Sequence, residues 1–138
     1  MKEITISFKS EMENILNMRN MVASLVATKN QTLTFINELK TIVSEGVTNA
    51  IIHGYDSDPN KDIIIKTKMD DKGINIEIID FGIGIEDIEL ARQVLYTSKK
   101  ENDRSGLGFT IMELFSTNFD VKSNKDTGTI LDIYKAFE

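Results

Sequence analysis

The feature that most constrains the fold is an apolar stripe in the first half of the chain. From about Thr34 to His53, the residues Phe35, Leu39, Ile42, Val43, Gly46, Val47, Ala50 and Ile51 recur at the spacing of one helix face. A helix so patterned is held mainly by burying its stripe, so the rest of the chain must supply an apolar layer. The strands do so. "EITISFK", 3 to 9, alternates Ile4, Ile6 and Phe8 with polar neighbours. "DIIIKTKM" and "INIEIID", joined by "DDKG", read as a hairpin with Gly73 near its tight turn, and "FDVKSN", "KDTG" and "TILDIYKAF" read as a second.

Other helices fill the intervals. Ser10 and Glu13 have the spacing of a capping box, followed by Ile15, Met18, Val22, Leu25 and Val26 at helical period. Gly54 is placed to end the long helix, and "YDSDPN" after it is turn chemistry. Residues 86–95 read as a short helix and 107–117 as another. Between them "YTSKKENDRSG", 96 to 106, has no clear period and reads as a lid or binding loop. The predicted fold is an α+β two-layer sandwich, a mixed and largely antiparallel sheet with helices on one face. At 138 residues the expectation is one domain over 1–138.

Composition narrows the function. With 41% apolar and 28% charged residues this is an ordinary globular chain, and a net charge of -6 offers no basic face to nucleic acid. The lack of cysteine removes disulfides and thiolate metal sites and fits a reducing compartment. "MKEITISFKSEMEN" lacks the apolar run of a signal peptide, and no stretch approaches the roughly 18 apolar residues of a membrane span, so a cytoplasmic location is expected. An anionic ligand would have to be held locally, by a metal, backbone amides or a few placed cations.

Three clusters offer such means. In "EGVTNAIIHGY", 45 to 55, Glu45 and Asn49 lie about 40° apart on the wheel, one turn from each other at an edge of the stripe. A carboxylate there can accept a proton and an amide oxygen can ligate Mg²⁺; the pair also reads as ordinary polar boundary residues. In "DFGIG", 80 to 84, Asp80 continues the parity of Ile74, Ile76 and Ile78, so its carboxylate points toward the helices. Buried there it needs a donor such as the amino group of a base, while Gly82 and Gly84 permit close backbone approach. A strand-ending turn with an Asp cap is the plainer reading. In "RSGLGFT", 104 to 110, two glycines open a helix whose free amides suit phosphate, with Lys99, Lys100 and Arg104 nearby; it reads equally as a simple helix start. The "DFG" match to eukaryotic-type protein kinases is accidental, since neither their Gly-rich loop nor an "HRD" loop is present.

Taken in order, the clusters resemble the boxes of the nucleotide-binding fold shared by gyrase, Hsp90, histidine kinases and MutL. "EGVTNAIIHGY" is similar to its N box, "DFGIG" to its first glycine box and "RSGLG" to its second, and "GT" at 128 to 129 resembles the motif whose threonine helps hold adenine. Within that fold "VSEGVTNAIIHGY" and "ARQVLYTSKKENDRSGLGFTIME" most resemble the sporulation anti-sigma kinases of the sigma F type. The resemblance implies an ATP-dependent serine protein kinase that inhibits a sigma factor and phosphorylates an anti-anti-sigma factor. It implies Glu45 as general base, Asn49 as Mg²⁺ ligand, and Asp80 as acceptor for the adenine amino group with Thr129 in support. Gly82 and Gly84 would shape the base pocket; Ser105, Gly106, Gly108 and nearby amides would hold phosphates, with Arg104 near the terminal one. In the first 35 residues only Arg19 matches a position used for partner contact; otherwise it reads as a surface arginine at the stripe's edge. An ATP-binding anti-sigma module without transfer and a general-stress anti-sigma kinase are the alternatives, and the N-terminal strand edge suits a homodimer.

Overall fold

A computed structural model describes residues 2–92 and 104–138, with 104–107 described by backbone alone. The expected lid, with Lys99 and Lys100, falls largely outside the described residues.

Five strands, β1 (Lys2–Lys9), β2 (Asp62–Met69), β3 (Gly73–Asp80), β4 (Asn118–Asn124) and β5 (Gly128–Ala136), form one sheet in the order β1-β2-β3-β5-β4. Every pairing is antiparallel, in line with the largely antiparallel sheet expected. The helices are α1 (Glu13–Leu25), α2 (Leu33–Asn49), the short α3 (Ile88–Ala91) and α4 (Arg104–Phe115). Strand parity explains the layers. Ile74, Ile76 and Ile78 of β3 are buried, as are Leu131 and Ile133 of β5, and they meet Leu39, Ile42 and Val43 of α2. Each such side chain contributes about 1.5–3 kcal/mol by burial.

Helix α2 lies directly on the sheet because residue 46 is glycine: a Cβ there would collide with Ile78 Cδ1. The Thr32 hydroxyl caps its start by accepting the Phe35 N–H at 3.0 Å. At its other end it passes into a π-helical turn over Ala50–Gly54, closed by the Tyr55 N–H on the Ala50 carbonyl at 3.0 Å. One extra residue per turn is rare and concentrates at functional sites.

Two local expectations need correction. Ser10 does not cap α1. Its side chain is turned into the protein, donating to the Asp58 carbonyl at 2.6 Å and accepting the Lys61 N–H at 3.1 Å, because the tight entry into β2 has buried polar groups to satisfy. Helix α4 begins at Arg104 rather than 107, so Gly106 and Gly108 lie inside its first two turns. Packing decides the boundary: Phe109 and Met112 are buried in the core, and the intrinsic cost of helical glycine is only about 1 kcal/mol each.

Candidate functional site

The site begins at the end of β3. Asp80 shares the helix-facing parity and is 4% exposed. The Gly82 N–H donates to its Oδ1 at 3.0 Å, and the Thr129 N–H also donates to the carboxylate. Burial nevertheless pushes the Asp80 carboxyl up to about 6, against the lowering effect of those two donors. Thr129 stands opposite Asp80 in the β3–β5 register, and Ser123 stands opposite Thr129 in the β4–β5 register. The Ser123 and Thr129 hydroxyls are 2.8 Å apart. A carboxylate and two hydroxyls thus form one polar row across three strands at the rim of an otherwise apolar face.

The π turn closes over this row. A Cβ on Gly54 would stand 2.8 Å from Asp80 Oδ1, and one on Gly82 would fall onto the Gly54 carbonyl oxygen. Neither position has room for a side chain. The Ile83 N–H donates to the same Gly54 carbonyl at 3.0 Å, which binds the 80–84 loop to the end of α2. Gly84 has φ +73 and lies against the Asn124 carbonyl, so this turn needs glycine on both counts. The buried Tyr55 hydroxyl accepts the Phe81 N–H at 2.7 Å and donates to the Asp62 carbonyl at 2.5 Å, holding the backbone just beyond Asp80. Burial raises the Tyr55 hydroxyl above its ordinary value, so it stays a neutral donor.

The second part of the site lies along α2. Glu45 and Asn49 are both half-buried, and Asn49 is the last residue of the regular helix. From Glu45 to Gly54 the helix rises by about 13 Å. A Cβ on Gly108 would stand 2.9 Å from Glu45 Oε2, so α4 approaches the carboxylate as closely as glycine allows. The first four amides of α4, those of Arg104, Ser105, Gly106 and Leu107, have no partner within a regular helix and suit an anion.

Most of the expected residues therefore fall along the C-terminal stretch of α2 and the π turn that follows it. Asp80, Gly82, Gly84 and Thr129 meet at one end, Glu45 and Gly108 at the other, with Asn49 between them on α2. Arg104, Ser105 and Gly106 supply the start of α4. Arg19 stands on α1, outside the elements that build the site; it is half-buried, and its buried Nε has no hydrogen-bond partner among the described residues. Thr48, next to Asn49 on α2, is buried at 9% exposed. Sequence reasoning missed Ser123 and Tyr55. The available signals were a hydroxyl at an inward position of "FDVKSN" and the tyrosine that closes "NAIIHGY".

The donor set is one of hard oxygens. Among the described residues no group of three or more His, Cys, Asp or Glu side chains gathers into a metal cage. The Asn49 side-chain oxygen on the helix edge instead fits an ion such as Mg²⁺ that takes few protein ligands and keeps its waters or binds ligand phosphates.

Comparison with known proteins agrees with this geometry. The family model described as a histidine kinase-like ATPase domain matches residues 8–135. The chain is 44% identical over 135 residues to an anti-sigma F factor of Geobacillus stearothermophilus, covering 98% of this chain and 92% of that one. It is 45% identical over 127 residues to an anti-sigma F factor of Clostridium perfringens, covering 92% and 91%. In fold it resembles a crystal structure of the RsbU and RsbW domains of a Mycobacterium tuberculosis protein, with TM-score 0.69 and 15% identity over 99% of this chain and 32% of that one. A histidine kinase domain from Erythrobacter litoralis gives TM-score 0.60 at 16% identity, over 89% and 61%. The chain therefore belongs to the histidine kinase-like ATPase family, in its anti-sigma F factor branch.

Proposed function

We propose that residues 1–138 act as one cytoplasmic ATP-binding unit that inhibits a sigma factor of the sigma F type and phosphorylates a serine of its anti-anti-sigma factor. The observation that carries this reading is a pair of carboxylates in different environments, Asp80 under the π turn that follows α2 and Glu45 about two and a half turns back along the helix. Asp80 is buried and held by backbone donors, so it suits recognition of an uncharged base through its amino group. Glu45 is half-buried beside Gly108 of α4, at the edge of the site, where a substrate hydroxyl can reach it. The spacing fits a nucleoside triphosphate laid along the helix, base at Asp80 and phosphates toward α4.

In this arrangement Thr129 supports the base, and Gly82 and Gly84 keep the loop tight around it. The first amides of α4, with Arg104, Ser105, Gly106 and Gly108, cradle the phosphates. Asn49 would hold Mg²⁺, which when bound neutralises phosphate charge. Glu45 orients the serine hydroxyl and accepts its proton as the phosphoryl group transfers. A base of this kind has no use in a module that merely holds ATP, which favours transfer over the binding-only reading.

Arg19, with its unsatisfied Nε, suits contact with the sigma factor. The free edge of β1, with Ile4 41% exposed, suits pairing with a second copy into a homodimer. Among the described residues no helix is long and apolar enough to cross a membrane.

Labelled-phosphate transfer from ATP to a cognate anti-anti-sigma factor tests the reading. Serine labelling that requires Mg²⁺ and Glu45 is expected. Tight ATP binding with no transfer would reduce the protein to a nucleotide-dependent binding module.

A further inference from the structure

The Ser123 hydroxyl meets three partners. It accepts the Ile85 N–H at 2.7 Å, lies 2.8 Å from the Gly128 carbonyl and lies 2.8 Å from Thr129 Oγ1. A serine hydroxyl has one proton, and a carbonyl can only accept. All three contacts are satisfied together in one way: Ser123 donates to Gly128, and Thr129 donates to Ser123. The single hydroxyl proton of Thr129 is then engaged inside the sheet. Toward Asp80, its direct neighbour across β3 and β5, the Thr129 hydroxyl presents lone pairs alone, while the Thr129 N–H donates to the carboxylate.

We infer that Ser123 is a positioning residue that sets the hydrogen-bond polarity of the base pocket: by accepting from Thr129, it leaves Asp80 and Thr129 as paired acceptors that select a purine carrying a 6-amino group. The inference rests on the nucleotide reading of the site and deepens it. A 6-carbonyl purine would set a third acceptor where the amino group donates, with only its N1–H left as a donor at that edge, and buried polar groups left without a complementary partner discriminate strongly. Without the Ser123 hydroxyl, Thr129 can turn its proton outward and donate to that carbonyl.

The test is the affinity ratio of ATP to inosine triphosphate, measured by calorimetric titration with Mg²⁺ on the native protein, Ser123→Ala and Ser123→Thr. The native protein should prefer ATP. In Ser123→Ala the preference should narrow by about five- to tenfold, the worth of one neutral hydrogen bond, and Ser123→Thr should restore it. An unchanged ratio in Ser123→Ala, with both nucleotides weakened alike, would make Ser123 a structural tie and overturn the inference. Should Ser123→Ala fail to fold, Ser123→Cys removes the strong hydroxyl at nearly constant size and carries the same expectation. Failure of the native protein to bind ATP would overturn the nucleotide reading itself, and needs no variant to be seen.

Discussion

The two ends of the candidate site are built by different means. At the Asp80 end, the loop after β3 and the β4–β5 hairpin are joined by hydrogen bonds to one carboxylate and two hydroxyls, and the π turn is tied to that loop through the Gly54 carbonyl, with no space for an added carbon at Gly54 or Gly82. At the Glu45 end, two helices face each other, and the nearest neighbour of the Gly108 position is the far end of a flexible side chain. The first end is preorganised to recognise a fixed shape. The second can adjust, as a site must when charge moves during phosphoryl transfer.

The largest expected effect separates chemistry from binding. Glu45→Ala should lower serine phosphorylation by about 10²- to 10⁴-fold in the transfer assay while ATP affinity stays within a few-fold. A collapse of ATP affinity would make Glu45 part of the binding scaffold. Next comes the rigid end: Gly82→Ala must displace the Gly54 carbonyl, so urea denaturation should show a loss of about 3 kcal/mol together with weakened ATP binding.

Asp80→Asn probes the same end through pH. Burial raises the native carboxyl from 3.8 to about 6, so its contribution to stability is fully present below pH 3.8 and is lost as pH rises through about 6. Relative to Asp80→Asn, the native protein should therefore gain stability between pH 7 and pH 4.5, as followed by urea titration. Nucleotide affinity should move the opposite way, falling as pH drops through about 6, because the protonated carboxyl is a poorer acceptor. A pH-independent stability difference would place Asp80 in a more solvated setting than the structure gives it. The smallest change is Gly108→Ala. Helix propensity gains about 1 kcal/mol and Glu45 need only swing aside, so stability should stay within about 1 kcal/mol while the transfer rate falls.

The same contrast explains what could be read in the sequence. The stripe of α2, the strands and the inward aim of Asp80 follow from periodicity, because burial on one face imposes a period on local sequence. Thr129 was found through the resemblance of its "GT", and the register then put it beside Asp80. Ser123 and Tyr55 escaped because each also has a partner far along the chain, 38 residues away at Ile85 and 26 residues away at Phe81, and no local pattern encodes a hydroxyl's distant partner. The start of α4 was misplaced for a related reason. Glycines 106 and 108 read locally as a break, yet both lie inside the helix, where Gly108 lets α4 come close to Glu45. Ser10 was assigned to a local cap although its partners are 48 and 51 residues away.

The central claim is that this site holds a nucleotide with its metal, and calorimetric titration with ATP, with and without Mg²⁺, tests it most directly on the native protein and Asn49→Ala. Saturable, Mg²⁺-strengthened binding that loses its Mg²⁺ dependence in the variant is the predicted result. A folded native protein that takes up no ATP would contradict the account and return the three glycine-rich clusters to the role of turns and close helix contacts.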